Sequence, residues 1–243
     1  MPGWNPWHGC HKISPGCANC YVYRMDAKYD RISSDVVKTA SFDLPVRKDR
    51  HGEYKIRSGE SVGVCFTSDF FVEEADEWRK DAWSFMRERS DLHFFFITKR
   101  IARFNVSLPD DWGDGYDNVA IGCTVENMNM ARERLPLFLS APIKHRVIAV
   151  EPMLEQMDIS PYLGDGIEAV VAGGESGKNA RSCNFDWFKE LSRQCAEAGV
   201  GFEFHQTGAR LIVDNRVFCI DRKFQHSQAK KAGIDVIRRN SRL

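Results

Sequence analysis

Six short runs rich in Val, Ile and Phe, each broken off by polar residues, pace this chain. They are SVGVCFTSD (61–69), LHFFFITKR (92–100), NVAIGCTVEN (118–127), HRVIAVEP (145–152), EAVVAGGES (168–176) and VGFEFHQTG (200–208), starting roughly 20 to 35 residues apart. Runs apolar at successive positions suit strands covered on both faces, as in a parallel sheet. Helical spacing fills much of the chain between them. Ala75, Trp78, Ala82, Phe85 and Met86 share one face over 75–89, and Phe185, Phe188, Leu191 and Cys195 another over 184–198,. Asn184 and Gly199 supply the second helix with a cap and a stop,. Over 128–139 the pattern is weaker, because Pro136 interrupts it,. Repeated βα units of this kind form either a barrel or a doubly wound sheet.

The polar punctuation favours the barrel. Ser68–Asp69, Lys99–Arg100, Glu126–Asn127, Glu151–Pro152, Gly174–Glu175–Ser176 and Gln206–Thr207 each follow a strand. In parallel strands these groups collect at one mouth, where barrels of this type place their sites. The expectation is an α/β chain, a partial TIM-like (β/α) barrel of six or seven strands. One domain is expected over residues 1–220. The polar, turn-rich segment 41–60 is read as a hairpin or loop excursion.

Ahead of the strands stands WNPWHGCHKISPGCANCY (4–21), with Cys10, Cys17 and Cys20 in a C-x6-C-x2-C pattern. Of the eight cysteines, these alone form a ligand-like cluster; Cys65, Cys123, Cys183, Cys195 and Cys219 have ordinary packing explanations,. Three readings compete. A structural zinc could be completed by His8 or His11. A four-iron cluster could be held by the three thiolates, with one iron lacking a protein ligand. A redox Cys17/Cys20 pair lacks its usual βα context. Spacing alone leaves zinc and iron–sulfur both open. A cysteine loop just before a series of βα units places a metal group at the barrel mouth, which favours the cluster.

The motifs WNPWHGCHKISPGCANCY, FTSDFF, ITKR, GCTVEN, VEPML, VAGGESG and FEFHQTG together resemble the phage-associated three-Cys-motif family, a branch of the radical S-adenosylmethionine superfamily. The resemblance spans most of the chain. It implies that Cys10, Cys17 and Cys20 ligate a [4Fe–4S] cluster whose fourth iron chelates S-adenosylmethionine. Reductive cleavage of that cosubstrate would give methionine and a 5′-deoxyadenosyl radical, which abstracts hydrogen from an unidentified substrate. Such an enzyme needs an external electron donor such as a flavodoxin or ferredoxin. Ser68 and Asp69 are candidates for the methionine amino group, and Thr124, Glu126 and Asn127 for ribose hydroxyls,. Glu151, Gly173 and Gly174 complete the cofactor-binding candidates: an acid beside an apolar run needs a partner, and glycines admit a ligand near the backbone. Lys99, Arg100 and Gln206 are the candidates for substrate, the two cations through a phosphate or carboxylate. Helix capping and loop polarity explain several of these residues as well. His205 is read as a packing histidine, and Glu175 receives no cofactor role.

Charge excludes little, since 34 basic residues balance 34 acidic ones. The stretch 221–243 is the exception, a basic C-terminal segment with seven Lys or Arg against two Asp. With Trp4, Trp7, Tyr21 and Tyr23 near the cysteines, it keeps a nucleotide or nucleic-acid substrate open. Those aromatics could equally shield a cluster, stack on adenine or build core. Two rival functions stand beside the enzyme: a zinc-stabilised nucleic-acid-binding protein, and a non-catalytic iron–sulfur protein for sensing or electron transfer. No run approaches about 18 consecutive apolar residues, and the N-terminus has no basic segment leading into an apolar one. The expectation is a cytoplasmic protein without a membrane partner.

Overall fold

The computed structural model describes residues 2–237 and divides into two compact units. One contains the chain up to Lys12, Val22–Gly122 and Ser140–His145; the other contains Ile13–Tyr21, Cys123–Leu139 and the chain from Arg146. Residues 238–243 of the basic segment lie outside the described residues.

The first unit carries β1 (Gly3–Trp4), β2 (Trp7–His8), most of α1 (Tyr21–Asp26), β3 (Val37–Lys38), β4 (Ser61–Val64), α2 (Asp76–Glu88) and β5 (His93–Thr98). It also holds the start of β6 (Val119–Thr124), a strand whose six residues are all buried. β1 pairs in parallel with β4, and β4 with β5. Two residues are too short for any periodicity, so the sequence shows no run at β1. The core here is aromatic. Phe70 stacks on Phe96 at 4.3 Å between centroids, and Trp83 packs against Phe70 and Trp112 at 4.7 and 4.8 Å. Trp4 and Trp7 are fully buried and give their indole N–H groups to the carbonyls of Phe42 and Asp69. They build core, and are too enclosed to stack on a nucleobase.

Two buried arginines hold the loops of this unit. Arg79 donates to the carbonyls of Phe70 (2.8 Å) and Val72 (2.7 Å) and to Asp76 (2.8 Å), bracing the turn between β4 and α2. Arg89 does the same for Ile56 (2.9 Å), Asp91 and the Pro45 carbonyl. Each guanidinium satisfies several carbonyls that loop backbone would otherwise leave unpaired.

The second unit carries most of α3 (Met128–Ser140) and of β7 (His145–Val150), together with β8 (Ala169–Gly173), β9 (Cys183–Asn184), α4 (Phe185–Glu197), β10 (Gly201–Gln206), β11 (Arg210–Val213), β12 (Arg216–Cys219) and α5 (Arg222–Lys231). β7, β8 and β10 run parallel. α4 begins where its cap predicts, with the Asn184 side chain accepting from the Asp186 N–H at 2.9 Å, and Phe188 packs on Phe204 at 4.4 Å. α3 runs through Pro136, because burial of Ala131, Arg134, Leu135 and Phe138 outweighs one missing backbone hydrogen bond,. The β11–β12 hairpin turns on Asp214 and Asn215, both at positive φ, as a two-residue hairpin requires,. The sequence reading has neither this hairpin nor the exposed position of Cys219. The basic segment opens as helix α5, with Gln225 and Ala229 buried.

Seven strands form one sheet in the order β1-β4-β5-β6-β7-β8-β10. The order ascends with the chain and never turns back, as it would at the switch point of a doubly wound sheet. The chain is mixed α/β with a parallel sheet of the partial-barrel kind. Among the described residues, no helix is long and apolar enough to cross a membrane.

Candidate functional site

In the first unit, Gly9 and Cys10 are held by backbone. Gly9 donates to the Thr67 carbonyl at 3.1 Å and Cys10 to that of Ser33 at 2.7 Å. The Cys10 carbonyl accepts from the Tyr23 hydroxyl at 2.6 Å. Gly9 sits at φ +98°, where an added Cβ would lie 2.5 Å from the Asp35 carbonyl oxygen, so no larger residue fits before this cysteine,. Ser68 donates to the Gly9 carbonyl. Asp69 is buried and accepts from the Phe71 N–H (3.0 Å), the Thr98 hydroxyl (2.8 Å) and the Lys99 N–H (2.9 Å). Arg100 turns inward on the Cys10 sulfur at 3.3 Å and the His11 carbonyl at 2.9 Å. Of the expected residues, Cys10, Ser68, Asp69, Lys99 and Arg100 thus meet in this unit.

The second unit holds Cys17 and Cys20 on a short loop with a 3-10 turn at Pro15–Cys17. Two carboxylates clamp that loop. Glu126 is fully buried; one oxygen accepts from the Gly16 N–H and the other from Arg134, each at 3.0 Å. Arg134 also donates to the Thr124 carbonyl at 2.7 Å. A Cβ on Gly16 would stand 3.0 Å from the Glu126 carboxyl carbon, so the glycine admits the close approach. Glu175 accepts from the Asn19 amide at 2.8 Å and from the backbone and guanidinium of Arg181 at 2.8 and 3.0 Å. Arg181 also donates to the Pro15 carbonyl at 3.0 Å. Burial alone would raise the Glu175 pKa; the hydrogen bonds from Arg181 and Asn19 outweigh it and leave the carboxyl below its ordinary value,. Asn127 caps α3, accepting from the Met130 N–H at 2.9 Å, and the buried Thr124 hydroxyl has no partner among the described residues.

At the ends of β7, β8 and β10 a second array forms. The Glu151 side chain reaches His205 Nδ1 at 2.8 Å. It passes over Gly173, where a Cβ would lie 2.1 Å from its oxygen. β10 bulges here: Phe204 pairs with Ala172 and Gln206 with Gly173, which leaves His205 as the extra residue and re-aims its ring,. Gly174 lies 2.4 Å, measured from its would-be Cβ, from the Thr207 carbonyl oxygen, so its glycine admits backbone and not a ligand. Gln206 accepts from Arg222 at 2.7 Å.

The Glu151 hydrogen bond raises the His205 pKa against opposing burial; Glu203 adds to the rise and Arg222 offsets it, while the His226 ring packs tilted against it at 4.7 Å. A histidine titration by NMR is expected to place His205 above the usual value of about 6.5, with Glu151→Gln returning it downward. The pairing therefore stabilises the fold below about pH 6.5 and is lost as pH rises through the raised value.

Sequence reasoning misses Arg134, Arg181 and Asn19 as loop clamps and the Glu151–His205 pair. An arginine inside an amphipathic helix reads as surface, and a bulge leaves no trace in periodicity. All eight cysteines are free of disulfides. No group of three or more His, Cys, Asp or Glu among the described residues is arranged to hold a metal. An apolar cavity of about 700 Å³ lies among Phe185, Phe204, Phe218 and Phe224 and is lined by none of the expected site residues.

No curated protein matches the chain, and no solved structure does. A family model described as "Protein of unknown function (DUF5131)" matches residues 2–236. With nearly its whole length matched, the chain belongs to that family.

Proposed function

We propose that this protein is a radical S-adenosylmethionine enzyme whose [4Fe–4S] cluster is held by Cys10, Cys17 and Cys20. The observation that carries the reading is the double clamp on the loop of Cys17 and Cys20. Two carboxylate–arginine pairs, Glu126–Arg134 and Glu175–Arg181, are spent on fixing a loop with no disulfide and little apolar burial of its own. Such investment suits a loop whose side chains must present ligands in one geometry. The donor chemistry fits as well: three half-buried thiols outside any disulfide, within eleven residues, suit an iron–sulfur cluster with one open iron,. Metal uptake and local ordering are commonly coupled at sites of this kind.

When bound, the cluster and cosubstrate supply one-electron cleavage of a sulfonium and a 5′-deoxyadenosyl radical. The chain's part is to bind, orient and exclude water. The Gly16 and Asn19 contacts hold the ligand loop, and Tyr23 with the Ser33 carbonyl holds Cys10. Glu151 orients His205 at the strand ends, where the imidazole can take or give a proton on substrate,. An external flavodoxin- or ferredoxin-type donor supplies the electron, and a nucleotide or nucleic acid remains the substrate class to try first.

The test is anaerobic reconstitution followed by dithionite and S-adenosylmethionine. Formation of 5′-deoxyadenosine and methionine in equal amounts is expected. A reduced, iron-loaded protein that leaves S-adenosylmethionine intact would contradict the enzyme reading.

A further inference from the structure

Arg100 is 8% exposed, and a buried guanidinium needs acceptors to offset its lost hydration,. Asp69 is its carboxylate neighbour, yet the closest approach is 3.6 Å, beyond a good hydrogen bond,. The Asp69 oxygens are turned instead to Phe71, Thr98 and Lys99. Arg100 gives its own N–H to the Thr98 hydroxyl at 2.9 Å, so its backbone and its carboxylate neighbour are tied to one hub. The head of the side chain is then aimed past Asp69. One nitrogen donates to Cys10 Sγ at 3.3 Å and the other to the His11 carbonyl at 2.9 Å. For a sulfur acceptor 3.3 Å is a close contact. The cysteine is equally fixed, through the Ser33 carbonyl, the Tyr23 hydroxyl and the steric limit at Gly9.

We propose that Arg100 sets the reduction potential of the metal group that Cys10 ligates, by donating a hydrogen bond and a positive charge to its sulfur, with Asp69 as the positioning residue. This rests on the cluster reading above. Reduction adds negative charge to a cluster already bound by thiolates. A cation hydrogen-bonded to a ligand sulfur favours that reduced state and raises the potential. Lysine would keep the charge but not the two-pronged geometry, because its ammonium is a point charge on a flexible stem.

The test uses the full chain, reconstituted anaerobically as wild type, Arg100→Gln, Arg100→Lys and Asp69→Asn. Iron and sulfide are counted per chain, and the midpoint is read by EPR during a dye-mediated titration. Arg100→Gln is expected to make reduction at least tenfold less favourable, a fall of about 59 mV for one electron. Arg100→Lys should shift the midpoint the same way by less, and Asp69→Asn by less still, since a loosened guanidinium lowers the midpoint while the lost negative charge 3.6 Å away raises it. If Arg100→Gln fails to hold a cluster, the other two variants carry the comparison. A wild-type cluster whose potential is unchanged in every variant that retains one overturns the inference alone. A wild-type chain that takes up no iron overturns the functional reading, and this inference with it.

Discussion

Glu126→Ala is expected to destabilise the protein by about 3–5 kcal/mol, the usual result of removing one partner from a buried ion pair. Both partners are enclosed, Glu126 fully and Arg134 to within 3% exposure. Arg134 keeps the Thr124 carbonyl, but its Nε has no partner among the described residues, so the lost carboxylate leaves a buried cation poorly compensated. The Gly16 N–H loses its acceptor at the same stroke,. Urea denaturation of the full chain reads the effect as a lower midpoint. A Glu126→Met/Arg134→Met double variant should recover much of the loss, because it removes both charges together. A single variant as stable as wild type would mean that the pair bears no load and that the loop is held elsewhere.

Cys17→Ala is expected to abolish iron uptake while leaving the fold intact. The Cys17 side chain is half-buried and its sulfur meets the Ser14 hydroxyl at 3.7 Å, a weak contact to lose. Cys195 is the contrasting case: it is fully buried on α4, and burial pushes its thiol up to about 12. Such a thiol is inert as a ligand and acts as a small apolar filler. Cys195→Ala should lower the urea midpoint slightly and leave iron content unchanged. Metal analysis with circular dichroism on both variants separates the roles. Equal iron in wild type and Cys17→Ala would remove Cys17 from the ligand set.

Strand positions were legible because covered parallel strands are apolar at successive residues. Each expected run contains a strand, from Ser61–Val64 to Gly201–Gln206. The ascending strand order followed from the βα rhythm and the polar strand ends. The two-residue strand at Gly3–Trp4 was not legible, since its identity comes from pairing with Gly63 and Val64. Nor was the hairpin at 210–219, whose strands of four residues each are too short for a clear period and whose β12 is exposed throughout. The site was half legible. Acids at strand ends drew attention to Asp69, Glu126 and Glu151, but their partners come from distant sequence. Arg134, Arg181 and His205 acquire meaning from the fold alone. Asp69, weighed as a cofactor ligand, has its carboxylate engaged by Phe71, Thr98 and Lys99. Arg100, weighed as a substrate anchor, faces Cys10.

The most direct measurement is metal and sulfide analysis of anaerobically reconstituted wild-type protein, with EPR of the reduced form before and after adding S-adenosylmethionine. The account predicts about four irons and four sulfides per chain, and a signal that changes when the cosubstrate binds. Stoichiometric zinc with no iron under the same conditions would contradict it, and would make Cys10, Cys17 and Cys20 a structural metal staple.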